Sequence, residues 1–389
     1  MHRTYLDWAA AAPASAHARR AFFRALKDFG NPSSPHVEGR VARSVLEDAR
    51  TRIARLAGTK PDAVIFTSGA TEANALAMAG QVRALLKDAR APGSIHVLYS
   101  PAAHASTRGA ARMLEAEGII AEPIPFAGGR IDMDALSSRI RPETALVALD
   151  AVCGETGTRF DVRGVRRVLD AARKGGGARI RLHADASQLP CIGPFDLVRL
   201  GADTVSLDAQ KVGGVRGIGC LIAPRQANIA PLMEGGGQER GLRPGTEGNA
   251  LAAAFACALE EAREDAAHFS ARAGEARARL LGAMARAVPD VVPNEGREQA
   301  PHILNVSLPG RDTDYLLALL DEAGFAVSAR SACATDDEGS AAVLALTGDP
   351  ERARSTLRVS WGPRTRPRDL ARFARAFADT VRFLDANPV

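Results

Sequence analysis

Lysine is scarce in this chain. Of its 50 basic residues only Lys27, Lys60, Lys87, Lys174 and Lys211 are lysines, so any one of them placed away from an ordinary surface context is informative. Cysteine is sparse too. The five thiols, Cys153, Cys191, Cys220, Cys257 and Cys333, show no CxxC spacing, which argues against a disulfide framework and for reduced thiols in a reducing cytoplasm. No apolar run reaches the ~18 residues that a membrane-spanning helix needs. The alanine-rich beginning carries Asp7 and Arg19 and lacks a leucine-rich core, so no targeting segment is expected, although "AAAAPASAHA" loosely mimics a cleavage site. No GxGxxG follows the first strand-like run, and HExxH and P-loop patterns are absent, which sets aside a nicotinamide-binding reading. Charge of neither sign clusters: 50 basic and 45 acidic residues are scattered, and the net +5 does not point to nucleic acid.

What is present is a chain of 389 residues, 46% hydrophobic, long enough to bury a large core. From about residue 61, short apolar runs alternate with helical patterns: "AVIFTSG" then "ATEANALAMAGQVRALLK", "SIHVLYS" then "ASTRGAARMLEAEG", "ALVALDAV" then "VRGVRRVLDAARKG". That alternation predicts a mostly parallel sheet flanked by helices. "IRLHADAS", "DTVSLDA" and "GCLIAP" add further strands, and a long alanine-rich helix is expected from about residue 246 to 288. The remainder, with "HILNVSLPG", "LLALLDEAG" and "STLRVSWG", reads as a smaller α+β domain. The expected division is a large domain of residues 15–250 and a small one of residues 1–14 and 251–389.

Four short stretches carry chemistry. In "SLDAQKVGGVRG" (206–217), Lys211 follows a strand and precedes two glycines, where desolvation lowers an amine's pKa toward that of an imine-forming nucleophile. In "FTSGATEAN" (66–74), a strand ends and a helix begins at once, so backbone N–H groups at Ala70 and Thr71, with the Thr71 hydroxyl, are aimed at an anion. In "HADASQ" (183–188), Asp185 closes a strand on the edge where open α/β sheets bind ligands, a place from which a carboxylate keeps a ring nitrogen protonated. In "SARSACAT" (328–335), Cys333 lies in a small polar segment that reads as a mobile loop. Each alone has a plainer reading: a surface lysine, two helix caps, an exposed thiol. Anion cradle, ring-nitrogen partner and imine-forming lysine in this order are the parts of a pyridoxal 5'-phosphate site.

Nearly end to end, the chain resembles the cysteine desulfurases, pyridoxal-phosphate enzymes related to the class V aminotransferases. The likeness rests on "YLDWAAAAP", "GNPSSPHVEGR", "FTSGATEAN", the histidine of "AAHAS", "ETGT", "HADASQ", the lysine of "DAQK", "GGGQERGLRPGTE", "SARSACAT" and "STLRVSWG". The resemblance implies a pyridoxal-phosphate transferase type of α/β fold in which Lys211 holds the cofactor covalently and moves protons. It implies that His104 stacks on the ring, Asp185 pairs with the ring nitrogen and Gln188 with the ring hydroxyl. Ala70 and Thr71, with the positions of Asp208 and Gln210, would face the phosphate, helped by Thr246 from the partner subunit of a homodimer. Asn31 and Arg358 would fix the substrate carboxylate. Cys333 would accept sulfur from L-cysteine as a persulfide, releasing L-alanine, and pass it to an acceptor or scaffold protein for iron–sulfur cluster or related assembly.

Three positions depart from the family. Where it has serine and histidine before the lysine, both facing the phosphate, this chain has Asp208 and Gln210. Where it has two asparagines before the glutamate of "ETGT", this chain has Cys153 and Gly154, and Arg330 stands where glycine is common. Asp208 therefore turns away, holds a proton, or weakens the hold on the cofactor. The departures leave two further readings beside the desulfurase: another pyridoxal-phosphate reaction of selenocysteine lyase or transaminase type, and a catalytically weak homologue kept as a binding partner in sulfur transfer. No metal, nucleic-acid or membrane partner is expected.

Overall fold

The computed structural model describes residues 3–88, 90–174, 179–329 and 339–387. In chain order its strands are β1 (Thr4–Tyr5), β2 (Val64–Thr67), β3 (His96–Tyr99), β4 (Ile120–Pro123), β5 (Phe126–Ala127), β6 (Arg130–Ile131) and β7 (Thr144–Asp150). There follow β8 (Arg181–Asp185), β9 (Thr204–Asp208), β10 (Gly219–Ile222), β11 (Val292–Pro293), β12 (Ile303–Ser307), β13 (Phe325–Ala326) and β14 (Thr356–Ser360). Seven of them build one sheet in the order β2-β10-β9-β8-β7-β3-β4. Strands β4, β3, β7, β8 and β9 run parallel, whereas β10 is antiparallel to both β9 and β2.

The burial of β7 shows why the sheet is parallel. All seven of its residues are buried, as expected of a strand covered by helices on both faces. Helix α1 (Ala16–Ala25) and helix α2 (Val37–Leu56), not anticipated from the sequence, pack on the long helix Asn249–Ala287. Helix α3 (Ala70–Lys87) matches the expected span and is buried on most of its surface, because its alanines and Gly80 let neighbours approach closely. Helix α4 (Ala105–Ala116) lies beside it. Strand β4 was also missed; its residues are only partly buried, so the run carries little apolar signal. The C-terminal part forms a three-stranded antiparallel sheet, β11-β12-β14, and β1 crosses back to pair with β13.

Strand register assembles the site. Asp150 lies opposite Asp185, Asp185 opposite Ser206, and Asp208 opposite Gly219, which also faces Thr67 of β2. Three aspartates thus end three adjacent parallel strands at the carboxyl edge of the sheet, the edge on which open α/β sheets bind ligands. Gly219 is what lets the chain enter α3 there. A Cβ at Gly219 would fall 2.6 Å from the Leu207 carbonyl oxygen and 2.7 Å from the Gly69 carbonyl carbon, both backbone atoms that cannot rotate aside.

Gly219→Ala is expected to lower the unfolding free energy by about 1–3 kcal/mol, the usual cost of overpacking a tight interior. Urea denaturation followed by circular dichroism measures it; a change below experimental error would show that the loop before α3 yields freely.

Candidate active site

Lys211 ends a single helical turn, Ala209–Lys211, just after β9. Its Nζ donates to two backbone carbonyls, those of Ala9 at 2.9 Å and Ala10 at 2.8 Å. Burial pushes its pKa down, against the opposing pull of the Asp208, Asp185 and Asp7 carboxylates and with the help of Arg358. The amine therefore rests on neutral acceptors in a dry setting, the condition that makes a lysine a nucleophile and a proton carrier. Lys27, Lys60 and Lys87 are exposed, as their contexts suggested.

A hydrogen-bond network joins Asp185 to His104. The Asn74 side chain, fully buried on α3, donates from Nδ2 to Asp185 Oδ2 at 2.7 Å and to Ser106 Oγ at 2.9 Å. Ser106 Oγ lies 2.8 Å from His104 Nδ1, and the Ser106 N–H donates to the same nitrogen at 3.2 Å. With Nδ1 accepting, the ring proton belongs on Nε2 and the imidazole is neutral. Burial, the largest cause, pushes the His104 pKa down in the same sense, and Lys211 and Arg108 add to it. On its other side the Asn74 Oδ1 accepts from Ser206 Oγ at 2.5 Å and from His183 Nε2 at 2.9 Å, and His183 Nδ1 accepts from Thr204 Oγ1 at 2.9 Å. Asp185 Oδ1 takes the Ser187 N–H at 2.9 Å. Asn74, Ser106, His183 and Ser206 were not singled out from the sequence; a lone asparagine inside the alanine-rich face of α3 was the one available signal.

Asp150 lies behind this network. It accepts the His104 N–H at 2.9 Å through Oδ2, while Oδ1 has no partner among the described residues. Complete burial, with the Asp185 charge adding to it, raises its pKa well above the usual carboxylate range.

Of the remaining sequence candidates, Gln188, Arg358, Asp208 and Gln210 make contacts around the same edge. Gln188 Nε2 donates to the Ala9 carbonyl at 2.9 Å and lies against Gly154, where a Cβ would approach it to 3.1 Å. Its amide thus occupies space beside the position where the family has asparagine. Neighbouring Cys153 is a core residue whose thiol burial pushes up to about 11. Arg358, buried on β14, donates from Nη1 to the Gly154 carbonyl at 2.9 Å and from Nη2 to Asp7 Oδ1 at 2.8 Å, with Nε unpartnered among the described residues. Asn31 is exposed and closes a local turn by accepting the Ser33 N–H at 2.8 Å. Thr246 is exposed on a loop that the Arg243–Glu72 ion pair, 3.1 Å, ties to the first turn of α3. Gln210 is half-buried, and its N–H donates to Asp208 Oδ1 at 3.0 Å. The other Asp208 oxygen accepts the Ala70 N–H at 3.0 Å, so this carboxylate sits on the anion cradle of α3. Thr71 is exposed, and its hydroxyl has no partner among the described residues. Cys333 and Arg330 lie outside the described residues.

Known proteins are similar to this chain along most of its length. A family profile described as aminotransferase class-V matches residues 4–373. A cysteine desulfurase of Frankia sp. (strain EuIK1) is 35% identical over 368 residues, covering 91% of this chain and 84% of that protein. The human cysteine desulfurase is 30% identical over 340 residues, covering 86% of this chain and 72% of that one. Among solved structures, a NifS-like protein superposes with a TM-score of 0.89 at 25% identity, over 98% of this chain and 100% of its own. DndA from Streptomyces lividans gives 0.75 at 30% identity, over 92% and 100%.

Asn74→Ala is expected to destabilise the protein by about 2–4 kcal/mol, because it strands several buried polar groups at once rather than one. A loss under ~1 kcal/mol in urea unfolding would show that the network rearranges at little cost. Burial holds His183 and His302 each at about 4, against an ordinary 6.5. Both are depressed, so the unfolded chain takes up their protons first. The stability they contribute is intact above about pH 6.5 and is lost as pH falls toward 4. Unfolding free energies measured from pH 7.5 down to 4.5 should fall through that window, and His302→Leu should shallow the slope by about one proton.

Proposed function

The chain belongs to the class-V aminotransferase family, and from that premise we propose that it is a pyridoxal-phosphate-dependent cysteine desulfurase. The observation that carries this reading is a lysine amine resting on two backbone carbonyls, with no salt bridge among the described residues, next to an aspartate and a histidine that one asparagine locks together.

The cofactor's ring end fits the residues present. Asp185 offers a buried carboxylate whose two oxygens are already oriented by Asn74 and by the Ser187 N–H. His104 supplies a neutral ring whose Nδ1 is held by Ser106. At the phosphate end, Ala70, Thr71 and the start of α3 supply N–H groups, although Asp208 already uses one of them.

When bound, the cofactor supplies an electron-withdrawing ring that stabilises charge at the substrate's α-carbon. Asp185 opposes loss of a proton from the ring nitrogen. Lys211 would hold the cofactor through Nζ, and burial, which pushes its pKa down, favours the neutral amine that can take up and return a proton. Its release from the Ala9 and Ala10 carbonyls is the movement this requires. Gln188, anchored on Ala9, would hold the ring hydroxyl. Arg358 and Asn31 orient the substrate carboxylate, which competes with Asp7 for the guanidinium. Cys333 takes the sulfur: the carbon–sulfur bond of L-cysteine breaks and a sulfur–sulfur bond forms, so that cysteine and a thiol become alanine and a persulfide.

The same reading makes the protein a homodimer in which Thr246 completes the partner's phosphate site, and a cytoplasmic donor of sulfur to an acceptor protein for iron–sulfur or related assembly. In its support, Cys153, Cys191, Cys220 and Cys257 are all unpaired, and among the described residues no helix is long and apolar enough to cross a membrane. The division into residues 15–250 against 1–14 and 251–389 is supported by the pairing of β1 with β13.

Purified protein given pyridoxal phosphate is expected to develop a visible absorption band that Lys211→Ala abolishes, and to form alanine from L-cysteine. Lys211→Ala should slow turnover at least ~100-fold, the scale of a lost general acid–base. Alanine formation should vanish in Cys333→Ala; an unchanged rate there would remove Cys333 from the mechanism.

A further inference from the structure

Asp208 occupies the place where the helix dipole and free N–H groups of α3 would receive a phosphate. Its Oδ2 accepts the Ala70 N–H at 3.0 Å and its Oδ1 the Gln210 N–H at 3.0 Å, which fixes the carboxylate across the gap between the end of β9 and the first turn of α3. The side chain is buried, at 8% exposure, and a Cβ on Gly69 would already lie 3.2 Å from Oδ2, so room to turn aside is limited. Among the described residues, the charged and titratable groups around it are already committed or neutral. Lys211 and His104 both feel the Asp208 charge, but burial pushes the lysine's pKa down toward the neutral amine and the histidine is neutral. From α3 the nearest charge is Glu72, which accepts the Ser68 N–H and holds Arg243. From β10 behind it comes the Cys220 thiol, pushed up by burial, with Asp208 adding to the shift.

A phosphate oxygen and a carboxylate oxygen within hydrogen-bond distance share that space only with a proton between them, since neither is otherwise a donor. Resting on the cofactor assignment above, we propose that Asp208 makes cofactor loading proton-linked: the phosphate of pyridoxal phosphate enters the α3 cradle only when one proton is held between it and the Asp208 carboxyl. A phosphomonoester loses its second proton near pH 6, so above that pH every bound cofactor must draw one from solution. The dissociation constant of the wild type then rises about tenfold per pH unit relative to a variant without the carboxylate. Serine at this position donates a hydroxyl hydrogen bond and needs no extra proton. Asparagine keeps the size and the acceptor for Ala70.

The experiment titrates full-length apoprotein with pyridoxal phosphate at pH 6, 7 and 8, following the Lys211-dependent band, for wild type, Asp208→Ser and Asp208→Asn. Calorimetry at pH 8 in buffers of different ionisation enthalpy counts the protons taken up. The expected result is that Asp208→Ser binds on the order of 100-fold more tightly than wild type at pH 8 and nearly equally at pH 6, two pH units at tenfold each. Wild type should take up about one proton more than either variant, and pyridoxal, which lacks the phosphate, should show no such difference. Asp208 also acts on Lys211 and His104, so a pH effect that came through those two groups would appear with pyridoxal as well, and the phosphate-free titration detects it. A wild type that stays colourless at pH 8 while Asp208→Asn turns yellow would support the proposal. Equal pH slopes and equal proton uptake in proteins that all bind the cofactor would overturn it and leave the desulfurase assignment standing. If neither wild type nor either variant develops the band at any pH, the cofactor assignment falls, and this inference with it.

Discussion

The Asn74 amide fixes the geometry on which the rest of the site depends. It is fully buried, and its two N–H groups and two oxygen lone pairs all have partners: Asp185 and Ser106 on one side, Ser206 and His183 on the other. Those partners sit on β8, β9 and α4, so one side chain of α3 ties three other elements together. A buried amide in this state is stable only if every bond is made, because each orphaned group costs about 1–3 kcal/mol. The same rule explains the fates of two neighbouring aspartates. Asp185 is given two strong donors and can face a ligand, whereas Asp150, with one donor and a bare Oδ1, is forced toward its neutral form. Adjacent carboxyls on one sheet edge are thereby prevented from repelling each other at full charge.

A second constraint comes from the N-terminal segment, which acts as a strap over the lysine. Its carbonyls at Ala9 and Ala10 accept from Lys211, and Ala9 also accepts from Gln188. Asp7 in turn binds Arg358, while β1 is held by β13. Residues more than 300 positions apart therefore meet at the amine. Arg358 is almost wholly out of water at 4% exposure whereas Asp7 keeps 19%, so it is the guanidinium that depends on the pair. The strap adds to the burial that lowers the lysine's pKa, while Asp7 on the same strap pulls the other way.

The parts of this arrangement that were legible in the sequence are those built from local chemistry. Strand ends at Thr67, Asp185 and Asp208, the start and end of α3, and the isolation of Lys211 all follow from apolar runs interrupted by glycine or by a single polar residue. What stayed hidden depends on residues meeting across the chain. Asn74 reads as one polar residue on a helix until β8 and β9 are placed under it. Arg358 reads as a free clamp until Asp7 arrives from the other end of the chain. Gly154 reads as a missing amide until Gln188 is seen lying against it. Helices α1 and α2 escaped because their apolar stripes serve the helix Asn249–Ala287 rather than the sheet, so no strand beside them announced their role.

The orientation of Asp208 was left open by the sequence and is decided by magnitudes. A helix N-terminus stabilises an anion by about 0.3–1 kcal/mol, and up to ~2 where partly buried. That suffices to hold one carboxylate on the Ala70 N–H. It does not suffice for two anions, because a second charge about 4 Å from the first costs roughly 4 kcal/mol at an effective dielectric near 20. The dipole thus falls short by about 2 kcal/mol or more, with Arg243 paired to Glu72 and the Lys211 amine pushed toward its neutral form by burial. One proton removes the repulsion and replaces it with a hydrogen bond, at a cost that grows with pH. The substitution that departs furthest from the family pattern therefore leaves the cradle in place and changes the proton inventory of the site.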